Sequence, residues 1–236
     1  MTAPIERALV VVAHPDDIDF GAAGTVATWV EEGIEVTYCL VTDGDAGGFD
    51  DTPRELMASL RRAEQTAAAA VVGVADLRFL GYPDGQVYPT YELRRDLSRV
   101  IRQVRPQRLL TQSPERAWDR IVASHPDHRA TGVAAVDAVY PDARNPFAHP
   151  QLRAEEGLGA WTVHDLWLMG SPTADHYVDV TDTFERKVAA LREHVSQTAH
   201  MDDLPGLLRG WLSRNAEAAQ LADGRLAEAF QRVSIR

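Results

Sequence analysis

A chain of 236 residues, 45% hydrophobic and 25% charged, has the balance of a folded globular protein with room for one α/β core, which excludes disordered and fibrous classes. Its 35 acidic and 24 basic residues give a formal net charge of −11, which opposes attraction to nucleic acid and to anionic lipid and leaves small molecules as the expected partners. Cys39, the one cysteine, excludes an intramolecular disulfide and any cysteine metal cluster, so a bound metal must be held by His, Asp or Glu.

The run Met1 to Arg7 lacks a basic flank followed by an apolar signal core, and no stretch approaches the ~20 apolar residues that span a bilayer. The expectation is a cytoplasmic protein without membrane contact, folded as a single domain over 1–236. Ala8 to Ala13 is a short apolar run rich in valine, the pattern of a strand buried on both faces, and it ends at His14. Gly21 to Glu32 reads as a helix stopped near Gly33, and Glu35 to Val41 as a second strand in which Cys39 is buried and inert. Thr52, Pro53 and Glu55 resemble an N-cap, a first-turn proline and a capping-box acid, launching an alanine-rich helix to Val72 with Gly73 as its stop.

A strand near Leu77 to Leu80, a helix from Tyr91 to Val104 and a strand near Arg108 to Thr111 continue the alternation. The segment from Ser113 to Asp127 then leads into a helix ending near Tyr140. Residues 141–159 read as a long irregular loop placed to shape a substrate mouth. Strands near Asp165 to Met169 and His176 to Val180 precede a helix from Thr183 to Thr198, and the tail from Asp202 to Arg236 reads as helical, without a chemical signal. Such alternation predicts an α/β, Rossmann-like, mostly parallel sheet with helices on both faces, binding ligands beyond the carboxyl ends of its strands. No G-x-G-x-x-G follows the first strand, which argues against a nucleotide-dependent oxidoreductase.

Two pentapeptides at such strand ends carry chemistry. In Ala13-His14-Pro15-Asp16-Asp17, a helical turn after His14 would bring His14 and Asp17 to one side and leave Asp16 free to act on what a metal binds. The plain alternative is a polar turn capped by aspartate. Ser124-His125-Pro126-Asp127-His128 again sets polar groups three apart around a proline, and is expected to repeat the first geometry in the same crevice. His14, Asp17 and His128 supply three ligands and leave a position open, as in catalytic zinc sites. Asp16 is then placed to take a proton from water. His125 is free to stabilise an oxyanion as imidazolium and to protonate a leaving amine, with Asp127 orienting its ring.

These residues resemble the LmbE-like, or PIG-L, deacetylase family, marked by A-H-P-D-D after the first strand and a later H-P-D-H. The resemblance implies zinc on His14, Asp17 and His128, a general base at Asp16, and His125 with Asp127 beside the tetrahedral intermediate. It extends to Gly24-Thr25, Thr42-Asp43-Gly44, Arg61 with Glu64, Asp84-Gly85, and Lys187 with His194-Ser196-Gln197, departing at Ala23, where family members commonly carry glycine. It implies that Arg61 and Asp84 contact substrate. The expected reaction is removal of an N-acetyl group from a GlcNAc-type small molecule; the alternatives are an amidase acting on a larger acyl group, such as a thiol conjugate, and a non-catalytic sugar-binding protein. Zn2+ is the family's metal, and His with carboxylate also accepts Fe2+, cobalt or manganese. A homo-oligomer is compatible with the sequence, with no interface legible. His149, His164, His176 and His200 read as surface or packed residues, Trp161 and Trp167 as packing within the later strands, and Trp118 as core or rim, with a sugar-stacking role conceivable.

Overall fold

The computed structural model describes residues 4–49 and 52–235. One seven-stranded sheet runs through it: β1 (Arg7–Val12), β2 (Glu35–Thr42), β3 (Asp76–Tyr82), β4 (Arg108–Gln112), β5 (Asp165–Met169), β6 (His176–Asp179) and β7 (Ala227–Ser234), in the order β3-β2-β1-β4-β5-β7-β6. The first five are parallel, and β7 lies antiparallel between β5 and β6. Alternation in β1 builds both faces: Ala8, Val10 and Val12 enter one apolar cluster, while Leu9 and Val11 enter the other, all at 0% exposure. This is the α/β sheet that the alternation predicts.

Helices α1 (Asp17–Glu31), α2 (Arg54–Val72), α3 (Tyr91–Val104) and α4 (Pro126–Asp137) connect the parallel strands, followed by α5 (Pro150–Ala154), α6 (Phe184–Glu193), α7 (Val195–Thr198) and α8 (Leu204–Ala218). Because β1 sits between β2 and β4, the chain reverses its direction of travel across the sheet there, and the crevice opens beyond the carboxyl ends of β1 and β4. Both pentapeptides emerge at that point. No described helix is long and apolar enough to cross a membrane.

Several elements differ from expectation. Pro53, not Thr52, is the N-cap of α2, whereas Gly73 ends it in the left-handed conformation as expected. Segment 141–159 contains α5 and is organised by α3 rather than by the crevice: the buried Arg102 donates to the carbonyls of Asp142, Ala143, Asn145 and Ala148, and Arg94 pairs with Asp142. Trp161 lies outside the strands, its Nε1 donating to the Pro106 carbonyl. The expected helix through Thr198 breaks at His194. The tail is not helical throughout, since Ala227 to Ser234 forms β7, where partners on both edges override the helix preference of alanine and glutamate.

Candidate active site

His14 follows β1 directly and is buried at 8% exposure. Its neighbour Ala13 is fixed on both sides, its N–H donating to Gln112 Oε1 at 3.0 Å and its carbonyl accepting from Thr42 N at 2.8 Å. The helical turn expected immediately after His14 comes later. Asp16 is the N-cap of α1 with φ 85° and ψ −27°, and the helix starts at Asp17. That left-handed residue separates the two acids of the motif. Asp17 returns towards His14, accepting its backbone N–H at 2.7 Å, whereas Asp16 accepts a hydrogen bond from Arg61 Nη2 at 2.9 Å.

The second pentapeptide does not repeat this geometry. His125 is itself the N-cap of α4, with φ −49° and ψ 141°, and Pro126 opens the helix. Asp127 and His128 therefore lie in the first turn. A Cβ on Gly132 would collide with the Gln112 carbonyl, so the absence of a side chain lets α4 approach the end of β4 and carries His128 over β1. The rings of His14, His125 and His128 stand 5.1–5.2 Å apart, centroid to centroid.

Three residues converge, Asp17 facing each ring with a different carboxylate oxygen. His14 Nδ1 is 3.3 Å from Asp17 Oδ2 and 3.3 Å from His128 Nε2, and His128 Nε2 is 2.9 Å from Asp17 Oδ1. A tetrahedral site with bonds of about 2.0–2.2 Å spaces its donors by about 3.3–3.6 Å, so each neighbouring pair lies near that spacing, and the donor set of two imidazoles and a carboxylate suits a divalent cation once Asp17 turns one oxygen to both rings. Two other groupings, His14-His125-His128 and His14-Asp84-Asp127, also bring donor atoms together. Hydrogen bonding sets the second of these apart. His14 Nε2 faces Asp84 Oδ1 at 3.1 Å and Asp127 Oδ2 at 3.3 Å, where a ring N–H is required, which leaves Nδ1, turned towards Asp17 and His128, as the nitrogen that can give up its proton to a metal. The Asp84 and Asp127 side is thus the outer support of the ring.

The electrostatics follow the same division. Burial works to lower the His14 pKa, but Asp17, Asp127 and Asp84 outweigh it and push it up to about 12. Burial works to raise Asp17, and the His128 and His14 rings hold it well below the usual carboxylate range. Asp16 is pushed up to about 6 by burial, opposed by the Arg61 guanidinium and reinforced by Asp17. His125 is lowered by burial and by the neighbouring His14 and His128 charges.

One expected contact is replaced, and two other expected site residues have protein partners. The Asp127 carboxylate does not hold the His125 ring; it accepts the Gly85 and Val87 N–H groups at 2.7 and 3.3 Å and faces His14, because the first turn of α4 points it inwards. Its backbone N–H donates to His125 Nδ1 at 3.2 Å, which fixes a neutral ring with its proton on Nε2. Arg61 is 4% exposed, its guanidinium held by the Pro15 carbonyl at 2.6 Å, the Gly44 carbonyl at 3.1 Å and Asp16. Asp84 is held by His14 and by the Ala46 N–H at 2.9 Å. Arg61 is thus buried among protein partners and Asp84 half-buried against its own.

The family model for GlcNAc-PI de-N-acetylases, PIG-L, matches residues 9–139, from β1 to the end of α4. The chain belongs to the PIG-L family. It is 31% identical over 194 residues to the diacetylchitobiose deacetylase of Thermococcus kodakarensis, covering 82% of this chain and 70% of that protein. It is 32% identical over 201 residues to a Bacillus cereus protein described as a probable N-acetyl-alpha-D-glucosaminyl L-malate deacetylase 2, covering 82% and 84%. Its structure is similar to the N,N'-diacetylchitobiose deacetylase of Pyrococcus horikoshii, with a TM-score of 0.87 and 28% identity, covering 98% of this chain and 84% of that one.

Three residues buried around the start of α1, Asp19, Gln65 and Glu228, were not picked out from the sequence. Gln65 carried a usable signal. It lies one helical turn after Arg61 and so shares its buried face. Glu228 carried none, because its role depends on β7 being a strand.

Proposed function

We propose that the protein hydrolyses the acetamide of an N-acetylated amino-sugar small molecule, releasing acetate and the free amine, at a zinc ion held by His14, Asp17 and His128. The observation that carries this reading is the convergence of His14 Nδ1, Asp17 and His128 Nε2 at 2.9–3.3 Å, with Asp16 and His125 beside them and outside the trio. The names of the PIG-L relatives support the choice of amide. A divalent cation there supplies a Lewis acid for the acyl oxygen and an attacking water acidic enough to ionise near neutral pH.

Asp16 takes the proton lost as water adds to the acyl carbon. Arg61 holds that carboxylate in place and favours its ionised form. His125, neutral and protonated on Nε2, donates a hydrogen bond to the oxyanion rather than serving as an imidazolium. When the C–N bond breaks, the nitrogen takes back the proton that Asp16 holds, which balances the reaction. Asp84 and Asp127 keep the His14 ring turned with Nδ1 inwards.

The test is acetate release from a panel of N-acetyl amino sugars, with longer acyl groups included, after loading with zinc, iron, cobalt or manganese. Asp16→Ala is expected to keep its metal and lose rate, and His128→Ala to lose metal. Absence of turnover on every amide by the loaded wild type would sink the reading. A non-catalytic binding protein has no use for a proton acceptor at position 16, which favours the enzyme.

A further inference from the structure

Asp16 occupies a left-handed backbone conformation that L-residues rarely adopt, and such a residue persists only where its surroundings hold it. Its N–H donates to Gln65 Oε1 at 2.9 Å. Gln65 is 0% exposed, and its Nε2 donates to Asp19 Oδ2 at 2.8 Å. The same oxygen faces His194 Nε2 at 2.8 Å, and Asp19 and His194 are both fully buried. A carboxylate only accepts, so the amino end of Gln65 must face Asp19 and its carbonyl must face Asp16. Every direction in the relay is thereby fixed.

The relay also explains a break in the fold. His194 stands between α6 and α7 with φ −82° and ψ 59°, where leaving the helix lets its ring reach Asp19 in the first turn of α1. Lys187, two turns earlier on α6, grips the Asp19 and Phe20 carbonyls at 2.8 and 2.7 Å. Among the described residues, Gln65, Asp19 and His194 make no hydrogen bond to the side chains of His14, Asp17 or His128. Metal ligands and base are therefore held by separate sets of contacts.

We infer that Gln65, anchored by Asp19 and His194, is the positioning residue that holds Asp16 in its left-handed turn and so aims the base; this rests on the hydrolase reading above. Gln65→Met keeps the length of the side chain and removes both hydrogen bonds. It is expected to retain metal content and KM within about twofold while kcat falls roughly tenfold to hundredfold, the scale of a misplaced reacting group. In an Asp16→Asn background the same substitution is expected to change the residual rate by less than about twofold, because the group it positions is already gone.

Two further measurements secure the test. Amide exchange at Asp16 is expected to accelerate in Gln65→Met while Val10 to Val12 keep their protection, a readout independent of turnover. The double variant Gln65→Glu with Asp19→Asn restores an acceptor for the Asp16 N–H and a donor between the two side chains, with His194 taking its Nδ1–H tautomer so that Nε2 accepts the second N–H of Asn at position 19. It is expected to regain rate to within about fivefold of wild type. An unchanged kcat in Gln65→Met, an equal loss in the Asp16→Asn background, loss of metal with rate, or a folded double variant without rescue overturns the assignment. If loaded wild type turns over no amide, the hydrolase reading falls instead, and exchange at Asp16 alone decides whether Gln65 holds the turn.

Discussion

Replacing Lys187 by methionine is expected to be among the more damaging single changes that spare the crevice. Its ammonium and the Glu228 carboxylate are 2.7 Å apart, with side chains 0% and 1% exposed. The ammonium also donates to the Asp19 and Phe20 carbonyls, and the carboxylate accepts the N–H groups of Gly24 at 3.1 Å and Thr25 at 2.7 Å. Lys187→Met leaves a buried carboxylate on two amides without its cation. Breaking a buried pair in this way costs about 3–5 kcal/mol, and for a chain of this size each kcal/mol lowers Tm by about 2–4 °C, so a fall of roughly 6–20 °C is expected. Adding Glu228→Gln removes the stranded charge while keeping one acceptor for the amides. The double variant should then lose less than the two single variants together, with a coupling of roughly 2 kcal/mol. Urea unfolding of wild type, both single variants and the double variant at neutral pH measures this. Strict additivity would refute the reasoning, because it would mean that neither charge depends on the other.

Arg61→Met removes the guanidinium that opposes the burial-driven rise of Asp16 to about 6. With Asp16 as the proposed base, needed as a carboxylate, rate is lost as pH falls through its pKa, and the variant's acid limb should move up by roughly 1–3 pH units; a pH profile of kcat with an unmoved limb contradicts this. Metal loading should displace a proton from His14, whose ring burial disfavours as a cation but whose three carboxylates push up to about 12. Calorimetric zinc titration of stripped protein near pH 7.5, in buffers of different ionisation enthalpy, should report release of about one proton, and a zero slope removes His14 from the ligand set. Gly24→Ala sets a Cβ 2.7 Å from Val180 Cβ and should cost about 1–3 kcal/mol in thermal unfolding. Ala23→Gly, the residue commonly found in the family, should destabilise by about 1 kcal/mol, because the close approach is at Gly24 and position 23 only gains helix entropy to lose.

Much of the fold was legible because buried parallel strands are apolar on both faces and announce themselves without neighbours, as Ala8 to Ala13 does. The later segments were less so. Ala227 to Ser234 has residues that suit a helix, and only its place between β5 and β6 makes it a strand. The break at His194 is equally non-local, since the pull on its ring comes from Asp19, far away in sequence. In the site, residue types and spacing pointed to His14, Asp17 and His128, which the fold brings together. The partners of Arg61, Asp84 and Asp127 were not legible, because they are chosen by loops from three different strands. Segment 141–159 misled for a related reason: its irregular composition suggested an open rim, whereas the buried Arg102 supplies the hydrogen bonds that such a backbone needs.

The two pentapeptides look alike in sequence and act differently because their helices start at different places. In the first, the chain runs past His14 and turns left-handed at Asp16, so α1 begins with Asp17 and the two adjacent acids diverge. In the second, His125 already caps α4, so Asp127 and His128 are carried inwards within one turn while His125 stays exposed at the rim. Had the second motif copied the first, Asp127 would occupy the left-handed cap instead of the first turn, leaving His14 Nε2 without one of its acceptors. The half-turn of difference instead turns Asp16 to Arg61, Asp17 to the His14 and His128 rings and Asp127 to the far side of His14, which suits the proposed base, ligand and support. The conformation at Asp16 is what makes that division, and it gives Gln65, which fixes the Asp16 N–H, leverage over the chemistry without a place in it.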